Sequence, residues 1–135
     1  MSVIKMSEAT YIAIHTVMLF AMNKGRLRSS KEIAAILGVS EGHLSKVLQI
    51  LVKADLVESV RGPKGGFLLI SNEKQLRILD IYKLFEGNIN YKKCSFKADT
   101  CQKTCILEKI EKPLYEQFFK IYGETSFYDL INNKW

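Results

Sequence analysis

The chain has 135 residues, enough for one domain with an appended element and a modest core. Apolar residues make up 47% and charged residues 25%, an ordinary globular composition that excludes a disordered chain. Lys and Arg outnumber Asp and Glu by 20 to 14, and the net charge of +6 favours a polyanionic partner such as duplex DNA.

Ser7 is placed to cap a first helix running to about Asn23, where Asn23-Lys24-Gly25 stops it. Ile12, Ile14, Val17, Met18, Leu19 and Met22 cover most of its circumference, which predicts burial on more than one face. The run from Tyr11 to Met22 is superficially like a signal peptide. Glu8, however, sits where a basic region belongs, His15 and Thr16 interrupt the run, and no small-x-small cleavage site follows. The run is also too short to span a bilayer. A buried helix of a cytoplasmic protein, with no membrane partner, is the expectation.

Ser29 or Ser30 caps a second helix with Ile33, Ala34 and Leu37 facing inward. Gly38-Val39 makes a turn, and Ser40 caps a third helix in which Leu44, Val47, Leu48 and Leu51 recur at helical spacing. A helix–turn–helix needs a small residue in its first helix, a glycine at the turn and apolar residues that lock the pair. Ala34, Gly38, Leu44 and Val47 fill those roles. The later helix then enters the major groove by its N-terminal half. There the side chains outside the core are Ser40, Glu41, His43, Ser45 and Lys46, and Gly42 allows close approach. Lys46 suits guanine acceptors, while Ser45 both donates and accepts and so discriminates less. Ser29, Ser30 and Ser40, with the helix N-terminal amides, suit phosphates, which fix register rather than sequence. His43 reads equally well as a phosphate contact or a solvated surface residue.

Leu56 to Ile70 is predicted as a hairpin, and its tip, Arg61-Gly62-Pro63-Lys64-Gly65-Gly66-Phe67, is the most informative stretch of the chain. Glycines and a proline give a tight turn whose backbone can approach a surface closely. Arg61 and Lys64 put two cations on that turn. An ordinary surface hairpin would need only one or two turn residues; a cationic one beside a recognition helix is the wing of a winged-helix DNA reader. Asn72 to Gly87 is predicted to return as a short helix carrying Ile78, Ile81, Leu84 and Phe85. Asn88 to Thr104 has no clear period.

Ile106 to Tyr122 is predicted as a long helix with two apolar stripes, Leu107, Ile110, Leu114, Phe118 and Ile121 on one and Tyr115, Phe119 and Tyr122 on the other. The first is spaced like a coiled-coil seam. Two stripes imply that one packs on the chain's own domain and the other on a partner. Pro113 removes a backbone donor and is expected to kink or restart the helix. Ser126 and Asp129 form a capping pair for a short final helix. The fold class is therefore mainly α with a small β-hairpin wing. The organisation is a DNA-binding unit over 1–87, a cysteine-bearing loop over 88–104, and a long C-terminal dimerisation helix with its tail over 105–135.

Cys94, Cys101 and Cys105 are the only cysteines, spaced C-x6-C-x3-C. An odd count argues against a disulfide framework. Cys101 and Cys105 lie at the start of the long helix among Lys92, Lys93, Lys97 and Lys103, surroundings that suit thiolates. Thiolates are the ligands iron–sulfur clusters require. The residues leave four readings: a cluster sensor, a thiol switch such as a Cys101–Cys105 disulfide, a zinc site wanting a fourth ligand, or cysteines that merely pack.

The recognition helix from Ser40 to Val47, the stretch from Ala54 through Phe67, Asp80 to Gly87 and the closing Phe127 to Ile131 together resemble the Rrf-two (Rrf2) family of winged-helix regulators, which includes IscR, NsrR, RirA and CymR. The resemblance covers essentially the whole chain. It implies a homodimer joined by the long helices and bound to a palindromic operator, with Arg61 in the minor groove, where a narrow groove concentrates negative potential. It further implies that Cys94, Cys101 and Cys105 hold a cluster. The first gap is longer and the second shorter than in cluster-binding relatives, so 2Fe-2S and 4Fe-4S both stay open. A fourth ligand would come from the first helix of the partner subunit. His15 matches a histidine that one cluster-binding branch uses, though members without a cluster also have it. Glu8 is the other candidate, and Tyr11 stands where nitric-oxide-sensing members carry an acidic ligand. The implied function is a DNA-binding transcription regulator, most simply a repressor, under cluster control. Alternatives are the same regulator run by a thiol switch or protein partner, an iron–sulfur electron-transfer protein, and a winged helix that binds only protein. An enzyme is not expected, since His15 and His43 lie on different helices without an evident catalytic partner.

Overall fold

A computed structural model of the chain describes residues 4–88 and 105–133. In chain order these hold α1 (Glu8–Met22), α2 (Ser30–Leu37), α3 (Glu41–Lys53), β1 (Val57–Val60), β2 (Gly66–Leu69), α4 (Ile78–Glu86), α5 (Ile106–Glu124) and α6 (Phe127–Ile131). Serine begins four of the six helices. Ser7, Ser29, Ser40 and Ser126 accept from the amides of Thr10 (3.3 Å), Glu32 (3.1 Å), His43 (3.2 Å) and Asp129 (3.0 Å), each three residues on. Each bond satisfies a donor that the first turn would otherwise leave open. Gly38 ends α2 in the left-handed region, at φ 68°, with its amide turned back to the Ala34 carbonyl.

α1 runs through the middle of the core. Val17 and Phe20 pack with Ile33 of α2, Leu44, Leu48 and Leu51 of α3, Val57 and Leu69 of the hairpin, Ile81 of α4 and Phe127 of α6, all buried. Helix one is thus covered on several sides, as its composition predicts. Its remaining face, with Glu8, Tyr11, His15 and Met22, is exposed. β1 and β2 pair antiparallel, Val57 opposite Leu69 and Val60 opposite Gly66.

The stretch from Asn72 is helical only from Ile78. Residues 72–77 instead form a turn and a docking strip for the C-terminal segment. The Leu76 carbonyl accepts from Phe127 (3.1 Å) and the Glu73 carbonyl from Tyr128 (3.0 Å). Backbone groups used this way cannot also serve a helix. Glu86, at the end of α4, accepts from the Ser7 amide (2.6 Å) and from the Thr10 hydroxyl, fastening α4 to the start of α1.

α5 is one helix through Pro113, without a restart, and it buries no residue completely. Phe118 and Tyr122 set their rings against Tyr82 of α4, at centroid distances of 5.1 and 6.0 Å. Phe118 therefore belongs to the face that packs on α4, not to the seam with Leu107. Leu107, Ile110, Leu114 and Ile121 remain exposed. No single described helix is long and apolar enough to cross a membrane.

Candidate nucleic-acid interface and cysteine region

α2 and α3 meet at the Gly38 turn, and Leu44, Val47, Leu48 and Leu51 turn one side of α3 into the core. That choice leaves Glu41, Gly42, Lys46 and Gln49 exposed and His43 and Ser45 half-buried along the outer side. Ser29 and Ser40 are exposed at the N-termini of α2 and α3, their hydroxyls already serving as caps. Ser30 donates to Glu41 at 3.4 Å, joining the two helix starts. His43 uses its backbone amide, not its ring, for the cap bond.

The wing tip is built by sterics. A Cβ on Gly65 would lie 2.2 Å from the Val60 carbonyl oxygen, so no side chain fits there. The Gly65 amide donates to the Gly62 carbonyl at 2.9 Å and closes the turn. Arg61 and Lys64 are exposed on it. The hairpin thus presents two exposed cations on a turn closed by its own backbone, which suits a phosphate backbone and an adjacent groove.

The hairpin has a one-residue third strand on the far side of β2 that the sequence did not reveal. The Arg28 amide donates to Phe67 at 3.0 Å, and the Phe67 amide returns a bond to Arg28 at 2.8 Å. A one-residue bridge has no alternation to detect.

Cys94 and Cys101 lie outside the described residues. Cys105 is the residue before α5, half-buried, with its thiol free and not used as a helix cap. Among the described residues no three His, Cys, Asp or Glu side chains converge as a metal site. His15 is exposed rather than buried among apolar neighbours, and its Nδ1 lies 2.7 Å from the Tyr11 carbonyl oxygen. A carbonyl only accepts, so Nδ1 is the donor of this bond and Nε2 is the ring nitrogen not engaged in it, the orientation usual for a metal-binding imidazole. Glu8 is exposed on the same face. Burial, and then the charge of Tyr11, push the Tyr122 phenol up.

Residues 6–133 match the Rrf2 family, described as an iron-dependent transcriptional regulator. The chain is 42% identical over 82 residues to BadM of Rhodopseudomonas palustris, provisionally named an HTH-type transcriptional regulator, a match spanning 61% of this chain and 53% of that protein. It is 30% identical over 117 residues to the HTH-type transcriptional regulator NsrR of Shouchella clausii, spanning 82% of this chain and 76% of that one. Among solved structures, CymR, the global cysteine regulator of B. subtilis, superposes with a TM-score of 0.83 at 23% identity, over 96% of this chain and 98% of that one.

Proposed function

Because the chain belongs to the Rrf2 family of transcriptional regulators, we propose that it is a cytoplasmic, homodimeric repressor whose grip on a palindromic operator depends on an iron–sulfur cluster. The observation that carries the DNA-reading half is the exposure of both wing-tip cations, Arg61 and Lys64, together with the exposed Lys46 on the outer side of α3. In this reading Lys46 and Ser45 address base edges, Ser29, Ser40 and His43 address phosphates, and Arg61 and Lys64 bring the wing to the minor groove. The exposed stripe on α5 pairs two copies, and the pairing sets the distance between two recognition helices. Residues 1–87 read DNA, 88–104 sense and 105–135 pair.

Cys94, Cys101 and Cys105 would hold the cluster, with His15 Nε2 or Glu8 of the partner subunit completing it. The uncapped Cys105 thiol and the proton on His15 Nδ1 fit such a donor set. When bound, a cluster supplies an iron centre whose charge and integrity respond to redox and small-molecule signals. This chain's own part is mechanical. A ligand on α1 and ligands preceding α5 tie together the helix at the middle of the core and the helix at the dimer seam. A coupling of about 1–3 kcal/mol between such sites is enough to switch DNA affinity.

A second reading keeps the regulator and replaces the cluster with a thiol switch; the free Cys105 thiol supports it. Anaerobic protein decides between them through its absorption spectrum with iron and sulfide counts. The cluster reading expects a coloured protein, loss of iron in Cys94→Ala, Cys101→Ala and Cys105→Ala, and an altered spectrum in His15→Ala. Colourless protein after anaerobic reconstitution would leave the thiol switch.

A further inference from the structure

Arg28 is the only charged side chain buried among the described residues, at 7% exposure. It lies where the wing meets the helix–turn–helix. Its main chain forms the one-residue bridge to β2 described above. Gly66 permits this approach, since a Cβ there would stand 2.7 Å from the Arg28 carbonyl oxygen. The guanidinium points the other way, donating from Nη1 to Glu32 of α2 at 2.8 Å. Arg26 reaches the same carboxylate oxygen from the solvent side, at 3.3 Å. The Arg28 Nε has no hydrogen-bond partner among the described residues.

A buried cation with one ion pair and one unpaired donor is a poor device for stability. Desolvation offsets most of the attraction, and an apolar side chain of similar volume commonly serves a core as well or better. The same residue is a good device for geometry. A guanidinium is a planar, rigid fork, and here one residue bonds a wing strand through its backbone and the first turn of α2 through its side chain.

We propose that Arg28 is a positioning residue for DNA recognition, clamping the wing to α2 so that Arg61 and the open side of α3 meet one duplex together. The proposal rests on the DNA-reading function above. Two contact sites on one body reinforce each other only when their spacing matches the target. Without the guanidinium–Glu32 bond the wing keeps its β1–β2 pairing and its main-chain bonds to residue 28, yet its angle to α2 is no longer held and its cations no longer arrive in register with α3.

The test begins with wild-type protein selecting a duplex from a randomised pool. Binding of that duplex is then measured over a salt series for Arg28→Met, Arg28→Lys, Arg61→Ala and the Arg28→Met, Arg61→Ala pair. Arg28→Met should melt at or above the wild-type temperature and still bind more weakly, with a shallower salt dependence like that of Arg61→Ala. The double variant should be no weaker than the weaker single, because both remove the same contact. Arg28→Lys, which keeps a cation for Glu32, should regain part of the affinity. Wild-type affinity and salt slope in Arg28→Met, or losses that multiply in the double variant, overturn the clamp and leave the DNA reading standing. Should Arg28→Met fail to fold, Glu32→Gln replaces it with the same expected loss, and full affinity there overturns the clamp. If wild-type protein enriches no duplex, the DNA reading itself fails.

Discussion

Replacing Leu114 by glutamate should separate the proposed dimer without unfolding the protomer. Leu114 is 64% exposed, in a row with Leu107, Ile110 and Ile121. Fully burying a leucine is worth about 2 kcal/mol, so covering what Leu114 still exposes is worth roughly 1.3 kcal/mol. A two-fold interface uses the residue twice, which makes roughly 2.6 kcal/mol, close to two orders of magnitude in Kd. Glutamate forfeits that and adds a carboxylate that must be desolvated on each side of the seam. Leu114→Ala should therefore raise the dimer Kd by about a hundredfold, and Leu114→Glu should raise it further. The protomer's own fold should be within about 0.5 kcal/mol of wild type, as for other exposed positions. Sedimentation velocity over a concentration series reads the first quantity, and thermal melting of the monomeric variant reads the second. Wild-type self-association in Leu114→Glu would show that this face of α5 is not the seam.

Three further outcomes follow from the geometry. Arg61→Ala should weaken binding across DNA sequences and lower the salt slope by about 1, whereas Lys46→Ala should relax base preference at one position per half-site, by about 1–3 kcal/mol; anisotropy titrations against operator variants separate the two patterns. Burial pulls Glu86 up, but hydrogen bonds from Thr10 and Ser7 and the charge of Lys5 outweigh it and hold the carboxyl below its ordinary 4.5; Glu73 is held low chiefly by its bond to Lys24. A depressed folded pKa means stability that is complete above about 4.5 and lost as pH falls through the folded values, so Glu86→Gln should flatten the acid limb of a melting-temperature profile, and an unaltered limb would remove Glu86 from that account. Thr16 has a buried hydroxyl without a hydrogen-bond partner among the described residues, so Thr16→Val should stabilise by about 1 kcal/mol in thermal or urea melts, and a loss of stability would show that the hydroxyl is paired.

Elements with local signals could be read from the residues alone. Serine caps announced the starts of α1, α2, α3 and α6, and each carries the expected bond. The glycine-rich tip announced the hairpin. What was not legible depended on partners distant in sequence. Phe118 is spaced to join either stripe of α5, four residues after Leu114 and four before Tyr122, and only Tyr82 of α4 decides the matter. Residues 72–77 have a plausible helical pattern but give their carbonyls to Phe127 and Tyr128, some fifty residues later. Pro113 falls inside a helix that continues past it, because loss of one donor does not undo the bonds on either side. Arg28 reads as one more surface cation until Phe67 and Glu32 surround it. At the cysteine region the sequence says more than the described residues do, since only Cys105 lies among them.

Phe127 has no exposed surface and sits among residues from α1 and the strip before α4, although α5 intervenes along the chain. During synthesis on the ribosome, then, the N-terminal helices and the hairpin emerge first and must wait. Their core lacks an aromatic plug whose absence in a finished protein would cost about 3–5 kcal/mol. The whole of α5, with its apolar row uncovered, leaves the tunnel before the plug arrives. A nascent chain in this interval exposes two apolar surfaces at once. Completion of the core thus waits for residues beyond α5, and a chain cut short within α5 lacks it.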